Sequence, residues 1–190
     1  MVDSTSACGA VNKEATAKNI EAEWDNWYVK GLSDFIEVPN LTPCVDENFL
    51  TNGLIEKAMT LVDEYVQKID LKGISKRKIY QPEGSSPLVV YEIDAQGGST
   101  KNVMMYGHLD KQPWMDGWDE GLGPCKPVIR GDYLYGRGGA DDGYAVFSCM
   151  LALKNLQQQG VPHPRCTMVL ETEEESGSPN LLPLLALAKD

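Results

Sequence analysis

Val103-Met104-Met105-Tyr106-Gly107-His108-Leu109-Asp110 is the stretch on which the reading of the fold turns. Its first four residues are apolar without alternation, the pattern of a strand covered on both faces, so a buried central strand is expected. A histidine and an aspartate then follow at the strand's carboxyl end. Cys166-Thr167-Met168-Val169-Leu170 repeats the pattern, and it too runs into polar residues, Glu171-Thr172-Glu173-Glu174-Glu175-Ser176-Gly177-Ser178. Between these strands, residues 142–159 read as a helix with Val146, Cys149, Met150, Leu153 and Leu156 inward, ended by Gly160 and Pro162. Val128-Ile129-Arg130 and Tyr133-Leu134-Tyr135 flank Gly131-Asp132, a two-residue hairpin signal.

Further out, Leu88 to Ile93 reads as a strand that turns at Gly97-Gly98, and Ser178-Pro179 as the cap of a last helix. The N-terminal part is helical. Ile20, Trp24, Trp27, Tyr28, Phe35 and Ile36 share one face, and Asp46 is placed to cap a second helix that runs through Leu50, Leu54, Ala58, Leu61, Val62, Tyr65 and Ile69. The pattern predicts an α/β fold with a mostly parallel sheet and helices on both faces. It divides into a helical segment, 1–75, packing on an α/β domain, 76–190.

The chain has 190 residues, 42% hydrophobic and 24% charged, which excludes disordered and fibrous classes. No apolar run approaches the ~18–20 residues that span a bilayer. The opening Met1-Val2-Asp3-Ser4-Thr5 lacks the basic and apolar regions of a secretion signal. Five scattered cysteines without a CxxC pair fit reduced thiols and a cytoplasmic setting. Seventeen basic against 28 acidic residues gives a net charge of −11, which disfavours nucleic acid as a partner; no membrane partner is expected either.

Open α/β sheets bind ligands beyond the carboxyl ends of their strands. Three polar clusters fall at such ends: His108 with Asp110, Asp141-Asp142 after the glycine-rich run Gly136-Arg137-Gly138-Gly139, and Glu173-Glu174-Glu175. A histidine followed two residues later by aspartate suits a metal ligand whose other ring nitrogen is held by a carboxylate. Paired aspartates repel a pyrophosphate and attract a cation, so Asp141 at the sixth position of the glycine motif counts against a nucleotide-binding domain. Three successive carboxylates leaving a buried strand repel one another unless a cation or solvent compensates. Imidazole and carboxylates without thiolate suit Zn²⁺ or Mn²⁺, and a bridging carboxylate permits two ions. His163, in a proline-flanked loop, is expected to be solvent-exposed.

These residues lie in a longer pattern. Tyr106-Gly107-His108-Leu109-Asp110-Lys111-Gln112-Pro113, Gly117-Trp118, Leu134-Tyr135-Gly136-Arg137-Gly138 through Asp141-Asp142, and Glu174-Glu175-Ser176-Gly177-Ser178 stand in this order. From about residue 20 onward the chain resembles the zinc metallopeptidases typified by carnosinase and cytosolic nonspecific dipeptidase. The resemblance implies that His108 binds one metal with Asp110 orienting its ring, that Asp141 bridges two, and that Glu175 completes one coordination sphere. Glu174 is implied as general base. It further implies two Zn²⁺ ions per complete site (Mn²⁺ in some cases), a dipeptide or short-peptide substrate, and a homodimer in the full-length form.

Two departures stand out. Gly143 occupies a position that is commonly lysine in the family. Family members also continue past the glutamate pair into a further metal-binding aspartate, a lid or dimerisation domain, and a late histidine ligand. A catalytic domain incomplete at its C-terminus, without the lid domain, is therefore expected in residues 76–190. The alternative is a non-catalytic fragment or truncated paralogue of a dipeptidase that binds a metal or a partner.

Overall fold

The computed structural model describes residues 9–189; the opening segment, Cys8 and Asp190 lie outside them. The elements, in chain order, are helices α1 (Lys13–Glu23), α2 (Val29–Glu37) and α3 (Leu54–Lys68), strands β1 (Ile74–Tyr80), β2 (Leu88–Ile93), β3 (Asn102–His108), β4 (Val128–Arg130) and β5 (Tyr133–Tyr135), helix α4 (Tyr144–Gln158), strand β6 (Arg165–Glu171) and helix α5 (Leu181–Ala188).

The architecture is α/β, as the sequence predicts, with helices on both faces of the sheet. The strand directions differ from expectation. The order is β1-β2-β6-β3, and only β3 and β6 run parallel; β1 with β2 and β2 with β6 are antiparallel. The reason is connection length. The short link of residues 81–87 between β1 and β2 permits a hairpin but no crossover helix, whereas α4 supplies the crossover from β3 to β6. Alternation of strands and helices, the cue for a parallel sheet, holds only for that one unit.

β6 is a central strand, paired on both sides. β3 is not: among the described residues it pairs with β6 alone, and Val103, Met104 and Tyr106 are 44%, 65% and 41% exposed. Apolar residues on both faces report what the faces meet, not whether a strand has two neighbours, so the pattern overstated this strand's burial.

The main core lies between the sheet and α2, α3 and α4, and includes Phe35, Val62, Tyr91, Ile93, Phe147, Met150 and Met168. A smaller cluster on the other face sets Leu184 of α5 against Tyr80, Leu88, Val90 and Val169. The N-terminal helix is interrupted by a π-turn at Trp24–Tyr28, and the extra residue swings Trp24 outward to stack on Tyr28. Asp46 does not cap α3. It accepts from the Asn48 N–H and the Asn52 amide in a separate turn, and α3 begins after Gly53, whose backbone is left-handed. Likewise α5 begins at Leu181, two residues past Pro179.

His163 is fully buried, against expectation. Its backbone bridges to Gln96, its Nδ1 donates to the Pro164 carbonyl at 2.8 Å, and its Nε2 accepts from the Gln157 amide at 3.0 Å. Proline flanks fix a loop's path as readily against the protein as away from it. Cys44, Cys125, Cys149 and Cys166 are free thiols, with Cys166 buried and Cys44 exposed. Among the described residues no helix is long and apolar enough to cross a membrane.

Candidate metal centre

Three strand-end segments meet at one rim of the sheet. β3 ends at His108, directly opposite Glu171 at the end of β6, so the residues leaving both strands enter the same space. The segment Gly139–Gly143, ahead of α4, closes the third side and carries Asp141. A ligand atom from each of His108, Asp141 and Glu175 lies within 4.8 Å of the others, a spacing that one ion can span.

The imidazole is held from behind. His108 is buried, and its Nδ1 donates toward Asp110, 3.1 Å from the carbonyl and 3.3 Å from Oδ1. Its Nε2 therefore points at Asp141 Oδ1, 3.1 Å away, and at Glu174 Oε2, 3.7 Å away. Asp110, fully buried, does more than orient the ring. Its Oδ1 accepts the backbone N–H of Glu174 and its Oδ2 that of Glu175, each at 3.1 Å. One carboxylate thus fixes the histidine and both glutamates.

The acidic run is divided by its partners. Glu173 is buried and satisfied, accepting from Ser86 Oγ at 2.6 Å and from the Asn180 N–H and side-chain amide. It anchors the turn and does not face the space between His108, Asp141 and Glu175. Glu174 and Glu175 do face it. Asp142 turns away from Asp141, and its Oδ2 accepts the His108 backbone N–H at 3.3 Å.

Two site neighbours lie within the quoted motifs, but the sequence assigns them no role. Gln112 donates to Asp141 Oδ2 at 3.2 Å, holding that carboxylate's far oxygen. Glu171 accepts at Oε1 from the Tyr106 hydroxyl and from Ser178 Oγ. Both needed the strand pairing to be known.

The electrostatics ask for a cation. Burial pushes the Glu175 carboxyl up, and the nearby Asp141 and Glu174 charges push it further, against a Gln112 hydrogen bond and the His108 charge. Burial likewise raises Asp142. His108 goes the other way for a base: burial disfavours its charge, yet the Asp110 hydrogen bond and charge, with Asp141, raise it to about 9. A positive charge belongs between the imidazole and the carboxylates, either a proton on Nε2 or a divalent ion. Glu175 Oε1 is moreover buried without a hydrogen-bond partner, an acceptor left unsatisfied on a residue of this group. One nitrogen with several carboxylate oxygens suits Zn²⁺ or Mn²⁺, so the residues present fit such an ion.

A pH dependence follows for the metal-free chain. His108 titrates near 6.5 when unfolded and about 9 when folded, so its contribution to stability is complete below pH 6.5 and lost as pH rises through 9. Urea midpoints in the presence of chelator are expected to fall between those values, and His108→Gln to flatten that fall.

Residues 104–189 match Peptidase family M20/M25/M40. The Cys-Gly metallodipeptidase DUG1 of Saccharomyces cerevisiae is 31% identical over 166 residues, covering 81% of this chain and 33% of that protein. An uncharacterized metallohydrolase of Methanocaldococcus jannaschii is 29% identical over 157 residues, covering 79% of this chain and 37% of its own. Among solved structures, human carnosine dipeptidase 1 aligns with a TM-score of 0.71 at 22% identity, covering 96% of this chain and 39% of that one, a likeness of fold. The chain spans about a third of the length of the curated relatives it matches.

Proposed function

Residues 104–189 belong to Peptidase family M20/M25/M40, and from that premise we propose that the protein hydrolyses the peptide bond of dipeptides or short peptides at a divalent-metal centre. The observation that carries the proposal is the convergence of His108, Asp141 and Glu175 to within 4.8 Å, with Glu174 alongside. In this reading His108, Asp141 and Glu175 would hold metal, and Asp141 would be the carboxylate shared by a two-ion site. Zn²⁺ is the proposed ion, with Mn²⁺ as a substitute.

A bound divalent ion supplies Lewis acidity, lowering the pKa of a coordinated water toward ~7 and polarising the scissile carbonyl. The chain's own residues do the rest. Glu174, with its side chain 42% exposed at the open side of the site, takes a proton from the attacking water. It then returns that proton to the leaving amine, acting first as general base and then as general acid. Asp110 keeps Glu174 and Glu175 in register by their backbone N–H groups, so the base and its neighbouring ligand move together. His108 offers a free lone pair at Nε2 for metal, because Asp110 accepts the hydrogen bond of Nδ1–H and so keeps the ring proton on that nitrogen.

The remaining assignments are proposals of the same kind. Residues 76–190 form the first part of the catalytic domain, with 1–75 packed on it. A cytoplasmic setting, in which the free thiols Cys44, Cys125, Cys149 and Cys166 stay reduced, is proposed with them.

The test is hydrolysis of a dipeptide panel by the full-length protein, stripped with chelator and then reloaded with Zn²⁺ or Mn²⁺. Activity is expected to disappear on stripping and return on reloading. Turnover that persists unchanged in chelator overturns the proposal, as does the absence of any ion binding dependent on His108.

A further inference from the structure

Lys111 is fully buried, an unusual place for an ammonium, and nothing in the hydrolytic reading uses it. Its Nζ donates to the carbonyls of Phe35 at 2.7 Å, Val38 at 2.6 Å and Ile36 at 3.3 Å, and lies 4.4 Å over the Phe35 ring. These carbonyls end α2, the negative pole of its dipole; that of Phe35 also accepts the Val38 N–H at 3.1 Å. Burial pulls the ammonium down to about 7, so the group is held in place against its own hydration.

What rests on Lys111 matters more. Gly138 and Gly143 bound the segment that carries Asp141, and the N–H of Gly143 closes it by donating to the Gly138 carbonyl at 2.8 Å. Both glycines seat on the lysine–phenylalanine stack. A Cβ on Gly138, whose φ is 87°, would come within 2.5 Å of Lys111 Cε, and one on Gly143 within 2.5 Å of the Phe35 ring. The Asp141 loop thus sits in contact at one end with the lysine stem and at the other with the ring beneath the ammonium. Lys111 also follows Asp110 directly, and its carbonyl accepts from the Thr42 N–H, whose Oγ1 meets Ser176 Oγ at 2.6 Å beside Glu175.

We propose that Lys111 is a positioning residue of the metal centre: its ammonium, fastened to the end of α2, sets the height of the Gly138–Gly143 loop and so the separation of Asp141 from His108 and Glu175. It touches neither the ion nor the substrate. The inference rests on the metal-centre reading above, and its test separates the two.

The experiment compares the full chain with Lys111→Met, which keeps the stem and removes the donors, and Lys111→Gln, which keeps N–H donors without the charge. Zn²⁺ and Mn²⁺ dissociation constants are measured by titration calorimetry on metal-free protein, with far-UV circular dichroism and urea midpoints reporting the fold. Met is expected to weaken ion binding roughly 10–100-fold, the usual effect of removing a residue that orients ligands, and Gln to recover part of that loss. A lysine that only stabilises the fold moves the urea midpoint and leaves the dissociation constant of the folded chain alone; folded Lys111→Met that binds as tightly as the original chain overturns the proposal. Should the Met variant fail to fold, Lys111→Gln decides: unchanged affinity overturns the inference, a several-fold loss supports it. If the original chain binds neither ion, the metal-centre reading itself fails.

Discussion

Asp141→Ala is expected to abolish the stabilisation that zinc confers while leaving the metal-free fold intact. The two halves have different physical origins. The Asp141 side chain is 52% exposed, and its polar partners are the His108 ring and the Gln112 amide. Removing it also removes one negative charge from the group formed with Asp142, Glu174 and Glu175. In chelator, therefore, its stability cost should stay within about 0.5 kcal/mol, the usual range for surface changes. With zinc the comparison reverses. An ion at a hundred times its dissociation constant stabilises a folded chain by about 2.7 kcal/mol, and a variant without the carboxylate common to the other ligands should show almost none of that. The measurement is a pair of urea titrations, with zinc and with chelator, for both proteins. Equal zinc protection in both would remove Asp141 from the metal centre. A loss of stability in chelator as large as the loss in zinc would assign it a structural role instead.

This contrast also explains which parts of the site could be read from the chain alone. His108 and Asp110 stand out because a strand ends just before them, and a histidine with a carboxylate two residues on is a spacing with local chemical meaning. Asp141 stands out because two aspartates at a helix start exceed what capping needs. The second has a use that spacing could not disclose, since Asp142 is spent on the backbone N–H of His108, 34 residues earlier. Glu173, Glu174 and Glu175 read alike in sequence; only Ser86 and Asn180, brought in by the β1–β2 loop and the start of α5, separate the anchor from the pair that faces His108 and Asp141. Lys111 looked like any lysine, because burial is a property of the packed α2 terminus and not of its neighbours in sequence. The strand directions were lost for a similar reason: apolar runs report faces, and strand polarity is decided by whether the link between strands has room for a helix.

Glu174→Gln is the sharper probe of chemistry, and the geometry makes its outcome specific. Glutamine preserves the size and polarity of the side chain, and the backbone N–H that Asp110 accepts is unaffected. Glu174 is not one of the three residues whose ligand atoms converge; its Oε2 stands 3.7 Å from His108 Nε2, beside the ligands rather than among them. Ion affinity should therefore change by no more than a few-fold. An amide cannot accept a proton from water and hand it to an amine. In the full-length protein kcat should fall by about 10²–10⁴, the contribution typical of a positioned general acid–base, with KM little changed. The pattern to look for is this split between binding and turnover, read by calorimetry for the ion and by dipeptide hydrolysis for the rate. A parallel collapse of both would make Glu174 a metal ligand, and its neighbour Glu175, with its buried unpartnered oxygen, would then have to be reconsidered as the base. Unchanged turnover would take the proton transfer away from the glutamate pair's first member altogether. Asp110 holds the two backbones at equal distances; what distinguishes the two glutamates is that Glu175 supplies one of the three converging ligand atoms, whereas Glu174 stands beside them with its side chain 42% exposed.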